Sequence, residues 1–408
     1  MPLPNLMITL ADVQAALQRI RPSIYLSPCT LSATFSQLTG NSIYLKLDNL
    51  QRTGAFKERG ALNKLLTMST QERDQGVIAA SAGNHAQGLA YHAGRRGIKA
   101  QICMPLTTPL IKVSATKSYG AEVVLVGANY DETCEEAIRR SQQQHLTFVH
   151  PFDDDAVIAG QGSLGLEILQ QHPAIEVVVV PIGGGGLIGG IACAIKETNP
   201  KVRIVGVQTS RLPSMKVAVA EGKPVTLPPA ATVADGIAVR RAGDRTLPLV
   251  QKYVDEIVTV DEEEIANAVL LLLEREKTMA EGAGAAAIAA LINRKIEIAG
   301  KKIAVLVCGG NMDVTLLSRI IERGLVKDGR LVRLRVHLPD YPGALHRLTG
   351  ILADHRANIV ETSYDRAYYG VNLGETAIDI TMETRGPDQI AELLSALSAA
   401  GYSQERVL

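Results

Sequence analysis

The chain has 408 residues, 46% of them hydrophobic, with 42 basic side chains against 42 acidic ones. That length allows roughly two to four domains with sizeable cores, and the even charge, with no basic stripe interleaved with aromatics, excludes a nucleic-acid partner and favours a small neutral one. The most apolar stretch, 177–195, is broken by glycines, and residues 1–7 lack a cationic segment leading into an apolar core, so neither a membrane span nor an export signal is expected. Cys29, Cys103, Cys134, Cys193 and Cys308 are scattered, odd in number and without C-x-x-C spacing. That argues against a disulfide framework or a zinc site and fits a reducing cytoplasm.

In chain order, a first helical pattern covers 9–17, with Thr9 and Asp12 in capping-box spacing, before Pro22 and Pro28 impose extended chain. The alternation at 42–47 reads as a strand. It leads into Thr53-Gly54-Ala55-Phe56-Lys57-Glu58-Arg59-Gly60 and a helical run beginning at 59, which sets Lys57 just inside a helix N-terminus at a sheet edge. The positive helix end and the apolar Phe56 both lower the pKa of an amine there, as a Schiff-base lysine requires. Taken alone, such an octapeptide more often carries a solvated lysine.

Apolar runs at 76–80, 100–105, 121–126 and 147–150 then alternate with helical patterns at 86–95, 109–119 and 130–144. A second series gives helix 160–171, strand 176–182, helix 187–198 and strand 202–207. After proline-rich chain at 224–229 come strand 255–260, helices 261–275 and 284–293, and strand 302–307. This alternation predicts an α/β fold of open parallel sheets with crossover helices, divided into two lobes with a cleft between them. Val177 to Val180 read as a central strand buried on both sides. Composition changes after Ile321, and 322–329 reads as a linker. Beyond it lie strand 331–338, helix 344–354, strands 358–363 and 376–382, and helix 387–400, a small α+β domain of order βαββα with room for one more strand. We divide the chain into 1–323, with a small lobe inserted at about 45–150, a linker at 324–330 and a C-terminal domain at 331–408.

Chemistry collects at turns following the apolar strands. Gly183-Gly184-Gly185-Gly186-Leu187 leaves the valine strand and opens a helix, a geometry in which free N–H groups hold a phosphate. Gly184, Gly186 and Gly189 also satisfy the dinucleotide pattern G-x-G-x-x-G, but Gln208 stands where that fold wants an acid, which favours a compact phosphate ester. Ser81-Ala82-Gly83-Asn84-His85 is a second strand-to-helix turn, suited to a carboxylate, and Cys308-Gly309-Gly310-Asn311 a third. An amine, a phosphate cradle and a carboxylate-binding turn together describe a pyridoxal 5′-phosphate enzyme acting on an amino acid.

On these same segments, 53–60, 81–87, 183–186 and 308–311, the chain resembles the fold-type II pyridoxal-phosphate enzymes, most closely the threonine dehydratases (threonine ammonia-lyases), over about residues 8–323. The resemblance implies a two-lobed, tryptophan-synthase-β-like catalytic domain and a homo-oligomer, dimer or tetramer. It implies that Lys57 carries the cofactor and, once released, takes the α-proton of threonine. Phe56 would pack beside the cofactor, Asn84 would bond its 3′ oxygen, Gly183 to Leu187 would hold its phosphate, and Cys308 would face its pyridine nitrogen, where many relatives have serine. Glu281 matches a glutamate near the ring, and the turn Ser81, Ala82, Gly83, Asn84, His85 would hold the substrate carboxylate. The implied reaction converts threonine to 2-oxobutanoate and ammonia, or serine to pyruvate.

Departures narrow this. The related serine racemases carry a serine where Ala82 stands, so racemisation is expected to be weak, and their divalent-metal ligands are replaced by Gln208 and Ser214, so no such metal is expected. Residues from about 331 resemble an ACT domain, which implies amino-acid regulation at Pro339, Asp340, Tyr341, Pro342, Gly343 and Ala344. A serine racemase/dehydratase, a 3-hydroxyaspartate dehydratase, a nucleotide-dependent oxidoreductase and a non-enzymatic amino-acid-binding regulator are the competing readings.

Overall fold

The four valines at 177–180 lie in strand Val177–Pro181, every residue of which is buried and which has parallel neighbours on both sides. In this computed structural model, which describes residues 7–365, 372 and 374–407, that strand sits inside a six-stranded sheet. The order across the sheet is Cys29–Ser32, Ser42–Leu47, Lys302–Val307, Val177–Pro181, Arg203–Thr209, Glu256–Val260, and only the Cys29–Ser32 edge strand is antiparallel. Strand Lys302–Val307 pairs with segments far away in sequence, Val305 opposite Leu45 on one side and Val179 on the other. A second, all-parallel sheet runs Glu122–Leu125, Ala100–Met104, Val77–Ala80, Thr147–Phe148. The two sheets are the cores of the two predicted lobes.

Several boundaries differ from the sequence reading for local reasons. Helix Asp155–Gln171 starts before residue 160 because Asp154 caps it, its Oδ1 accepting from Ala156 N at 2.9 Å and Val157 N at 3.1 Å. Edge strand Cys29–Ser32 and helices Ala33–Thr39, Ser214–Glu221 and Thr246–Tyr253 had no expectation. The last of these carries Pro248 in its first turn, where no intrahelical N–H bond is lost.

Helix Lys57–Thr67 is seated by close backbone contact and by buried charge. A methyl on Gly160 would lie 2.7 Å from the Cα of Gly60, so the Lys57 helix and helix Asp155–Gln171 cross with nothing between their backbones. Two residues beyond Lys57, the fully buried Arg59 guanidinium donates to both oxygens of Asp48, each at 2.9 Å, and to Glu167 at 2.6 and 3.0 Å. Lys46, also fully buried, closes the network on Glu167 at 2.7 Å. The helix start is thereby tied to the end of strand Ser42–Leu47 and to the neighbouring helix.

Residues Val314–Leu408 form a separate compact unit. Its antiparallel sheet has the order Asn358–Asp365, Glu375–Glu383, Leu331–Pro339, Ser403–Val407, with helices Ala344–Asp354 and Pro387–Ala399. Val332, Leu334, Val336 and Leu338 alternate into its core, and the C-terminal strand allowed for above is present. The expected linker is corrected: helix Val314–Lys327 runs through most of 322–329, and the division between compact units falls before that helix. Its amphipathic periodicity was masked by charges and by Gly324. Residues 1–6, read above for an export signal, lie outside the described residues. Among the described residues no helix is long and apolar enough to cross a membrane.

Candidate active site

The site gathers where chain leaves the carboxyl ends of neighbouring strands. Past strand Lys302–Val307, the turn from Cys308 to Asn311 lies antiparallel to the turn before Lys57: Phe56 N donates to Cys308 O at 3.0 Å and Gly310 N to Gly54 O at 2.9 Å, with Ala55 bridged to Gly309. This holds Lys57, the first residue of its helix, over the strand ends. Its half-buried amine donates to Pro151 O at 2.8 Å and lies 5.2 Å from the centre of the Phe56 ring. Burial pushes the Lys57 pKa down to about 8, against the opposing pull of Cys308 and Glu281.

The glycine run leaves the adjacent strand. Gly185, at φ +98°, caps helix Gly186–Thr198 in a conformation that other residues rarely adopt. A methyl on Gly184 would sit 2.3 Å from the Phe152 ring. The loop is held through its carbonyl: Gly184 O accepts from Thr246 Oγ1 at 2.6 Å. Asp153 Oδ1 in turn accepts from Arg245 N at 2.9 Å and Thr246 N at 3.3 Å. The first N–H groups of this helix have no intrahelical partner, which makes its start a candidate anion cradle. Pro151 and Phe152 are adjacent residues, so one dipeptide joins the lysine amine to this cradle.

Opposite lie Asn84 and Glu281. Asn84 opens helix Asn84–Gly94 after the Ser81-Ala82-Gly83 turn, in which Ser81 Oγ accepts from Gly83 N at 3.2 Å. Its Nδ2 donates to Glu281 Oε1 at 2.7 Å. Burial and the nearby Asp235 push the Glu281 carboxyl up to about 8, despite the bond from Asn84, so it is largely protonated at neutral pH. A methyl on Gly309 would meet Glu281 Oε1 at 2.4 Å and Asn84 Nδ2 at 3.2 Å, so that glycine is the seat on which the two side chains meet. The Cys308 thiol is buried and, with Glu281 close by, is held well above its ordinary range, hence neutral. His85 stands in the first turn of helix Asn84–Gly94. Its ring Nε2 lies 3.0 Å from Val149 O, and burial together with Lys57 pushes its pKa down to about 3, so it offers the turn a helix-start N–H rather than an acid or base.

Lys57, Phe56, Asn84, Glu281 and Cys308 thus converge, with Gly183 to Leu187 on the neighbouring strand end. Sequence reasoning passed over Pro151, Phe152, Asp153 and Thr246, and named Asn311 only as part of its turn. Only Phe152 carried a signal, as one of four phenylalanines in the chain, placed two residues beyond the expected strand 147–150. Gln208 and Ser214 are committed to the fold: Gln208 Oε1 accepts from Lys216 N at 2.9 Å and Ser214 Oγ donates to Val239 O at 2.6 Å. Pro339 to Ala344 form the strand-to-helix turn of the C-terminal unit, with Gly343 at φ +91° before helix Ala344–Asp354.

The profile of the family described as pyridoxal-phosphate dependent enzyme matches residues 20–309. The chain belongs to that family. It is 48% identical over 396 residues to the L-threonine ammonia-lyase of Thermotoga maritima, covering 97% of this chain and 98% of that one. In fold it is similar to the processed form of threonine deaminase isoform 2 from Solanum lycopersicum, with a TM-score of 0.74 at 36% identity over 78% of this chain and 92% of that one. Maize serine racemase is similar too, with a TM-score of 0.74 at 32% identity over 79% and 99%.

The residues present fit the family's cofactor. A β-carbon at Gly184 would displace Phe152 from beside the cradle, the lysine amine has a lowered pKa and a single carbonyl partner, and Cys308 is a neutral group suited to a pyridine nitrogen.

Proposed function

We propose that this enzyme removes ammonia from threonine, and also from serine, by α,β-elimination. The observation that carries this reading is the half-buried Lys57 amine, lowered to about 8 and joined through Pro151-Phe152 to a glycine phosphate cradle. Gly183 to Leu187 would hold the phosphate, Lys57 the carbonyl carbon, and Asn84 the 3′ oxygen, with Cys308 at the ring nitrogen and Glu281 and Phe56 against the ring. When bound, pyridoxal phosphate withdraws electrons from the α-carbon of the amino acid and so acidifies its α-proton.

The protein's own groups then divide the work. Helix-start N–H groups of the 81–85 turn bind the carboxylate and orient the Cα–H bond. Lys57 Nζ, neutral once displaced, takes the α-proton as general base. The β-hydroxyl leaves as water with one proton, and hydrolysis of the released enamine returns that water, giving 2-oxobutanoate and ammonia. Serine would give pyruvate. Ala82 offers no second proton-transferring side chain, which favours elimination over inversion.

The βαββαβ unit with its Gly343 turn supports reading 331–408 as an ACT-type module that binds an amino-acid effector at Pro339 to Ala344. The scattered free cysteines support a cytoplasmic setting, and an oligomer is the expected state.

The test is the absorbance of the purified protein. A band reducible by borohydride, together with 2-oxobutanoate release from threonine, is expected, and its absence from protein supplied with cofactor would sink the reading. Cofactor-free protein should also take up pyridoxal phosphate with a pH-dependent rate. Only the neutral amine attacks, so the rate should rise with pH and level off above about 8, the Lys57 value, rather than near 10.5, the value of an ordinary lysine.

A further inference from the structure

Asn311 lies outside the groups assigned to the reaction, yet both of its amide hydrogens are spent at the site's edge. Its Nδ2 donates to Thr53 O at 2.7 Å and to Asn84 Oδ1 at 2.8 Å. The Thr53 peptide is itself fixed, because Glu58 Oε2 accepts from Thr53 N at 3.2 Å and Thr53 Oγ1 at 3.1 Å. The Asn311 amide lies flat on Gly54, where a methyl would fall 2.4 Å from its Oδ1. Gly54 also has φ +74°, so both space and backbone keep that position a glycine.

A backbone carbonyl can only accept a hydrogen bond. Reversing the Asn311 amide would set its oxygen against Thr53 O, acceptor on acceptor. With Nδ2 fixed there, the same nitrogen donates to Asn84, which must answer with its oxygen. Asn84 then has only its Nδ2 left for the other side, and that nitrogen reaches Glu281 Oε1. We propose that Asn311 is a positioning residue whose anchorage on Thr53 O fixes the polarity of the Asn84 amide, so that Asn84 presents N–H, not carbonyl, to Glu281 and to the space beside Lys57. This rests on the reading above in which Asn84 serves the 3′ oxygen of the cofactor. A donor there lets that oxygen give up its proton, whereas an acceptor keeps the proton in place.

Asn311→Asp is nearly isosteric but cannot donate. Asn84 would turn its N–H groups toward the new carboxylate and its carbonyl toward Glu281. In the protein loaded with pyridoxal phosphate, the borohydride-reducible band should lose intensity to a shorter-wavelength form, and the cofactor dissociation constant should rise about tenfold. Asn311→Ser keeps one donor and should fall between this variant and the parent, and it decides the matter alone where Asn311→Asp does not fold. A purely structural role would lower the melting temperature of both variants without moving the band. A parent band with both variant bands unshifted overturns this assignment alone, whereas no reducible band in the parent overturns the proposed function and the assignment with it.

Discussion

Lys57→Ala should lower threonine turnover by about 10⁴-fold while leaving the protein folded. Two roles leave with one side chain, the covalent hold on the cofactor and the base that takes the α-proton. The fold depends little on it: the amine makes one hydrogen bond, to Pro151 O, and sits where burial already disfavours its charge. Loss of that bond and of some packing should change stability by no more than about 1 kcal/mol. Side-by-side turnover assays and urea titrations check both halves, and activity within tenfold of the parent would remove Lys57 from the chemistry.

Arg59→Ala should have the opposite profile, with stability falling by about 3–5 kcal/mol. Lys46, Asp48, Arg59 and Glu167 form a neutral set of two cations and two anions, all buried. Removing Arg59 leaves an unbalanced negative charge, with Asp48 kept only by Ser27 and Gln51. Burial pushes the Asp48 carboxyl up, but Arg59 outweighs it and holds the group below its ordinary 3.8. Its stabilising effect is therefore complete above that value and fades as pH falls through the lower folded value, so the deficit of the variant should shrink in acid. Arg59→Lys keeps the charge without the planar fork and should lose less. Urea midpoints at neutral and acidic pH distinguish these outcomes, and an Arg59→Ala midpoint equal to that of the parent would show the network to be energetically idle.

Strands and glycine turns were legible because their signals are local. Four valines in succession, a lysine after a strand and a run of four glycines each carry meaning within a few residues. What could not be read was pairing at long range. Arg59 looks like any helix-start arginine until Asp48 and Glu167 close on it, and Asn311 looks like a turn residue until Thr53 and Asn84, over two hundred positions earlier, supply its partners. Phe152 packs on Gly184 through a fold in the chain that no periodicity encodes. The 322–329 stretch was misread because its polar surface resembles a linker while its apolar residues recur at helical spacing.

The position of strand Lys302–Val307, between Ser42–Leu47 and Val177–Pro181, sets an order on how the enzyme can be made. During synthesis the two flanking strands emerge long before the strand that joins them, so each waits with an unpaired edge. Cysteine, glycines and asparagine at 308–311 arrive with the closing strand, and with them the last contacts to the Lys57 turn. A nascent chain stopped short of residue 302 holds its future lysine site open and two sticky sheet edges exposed, the state in which a chain of this topology is most exposed to aggregation. Completion of the central sheet and completion of the active site are therefore one event.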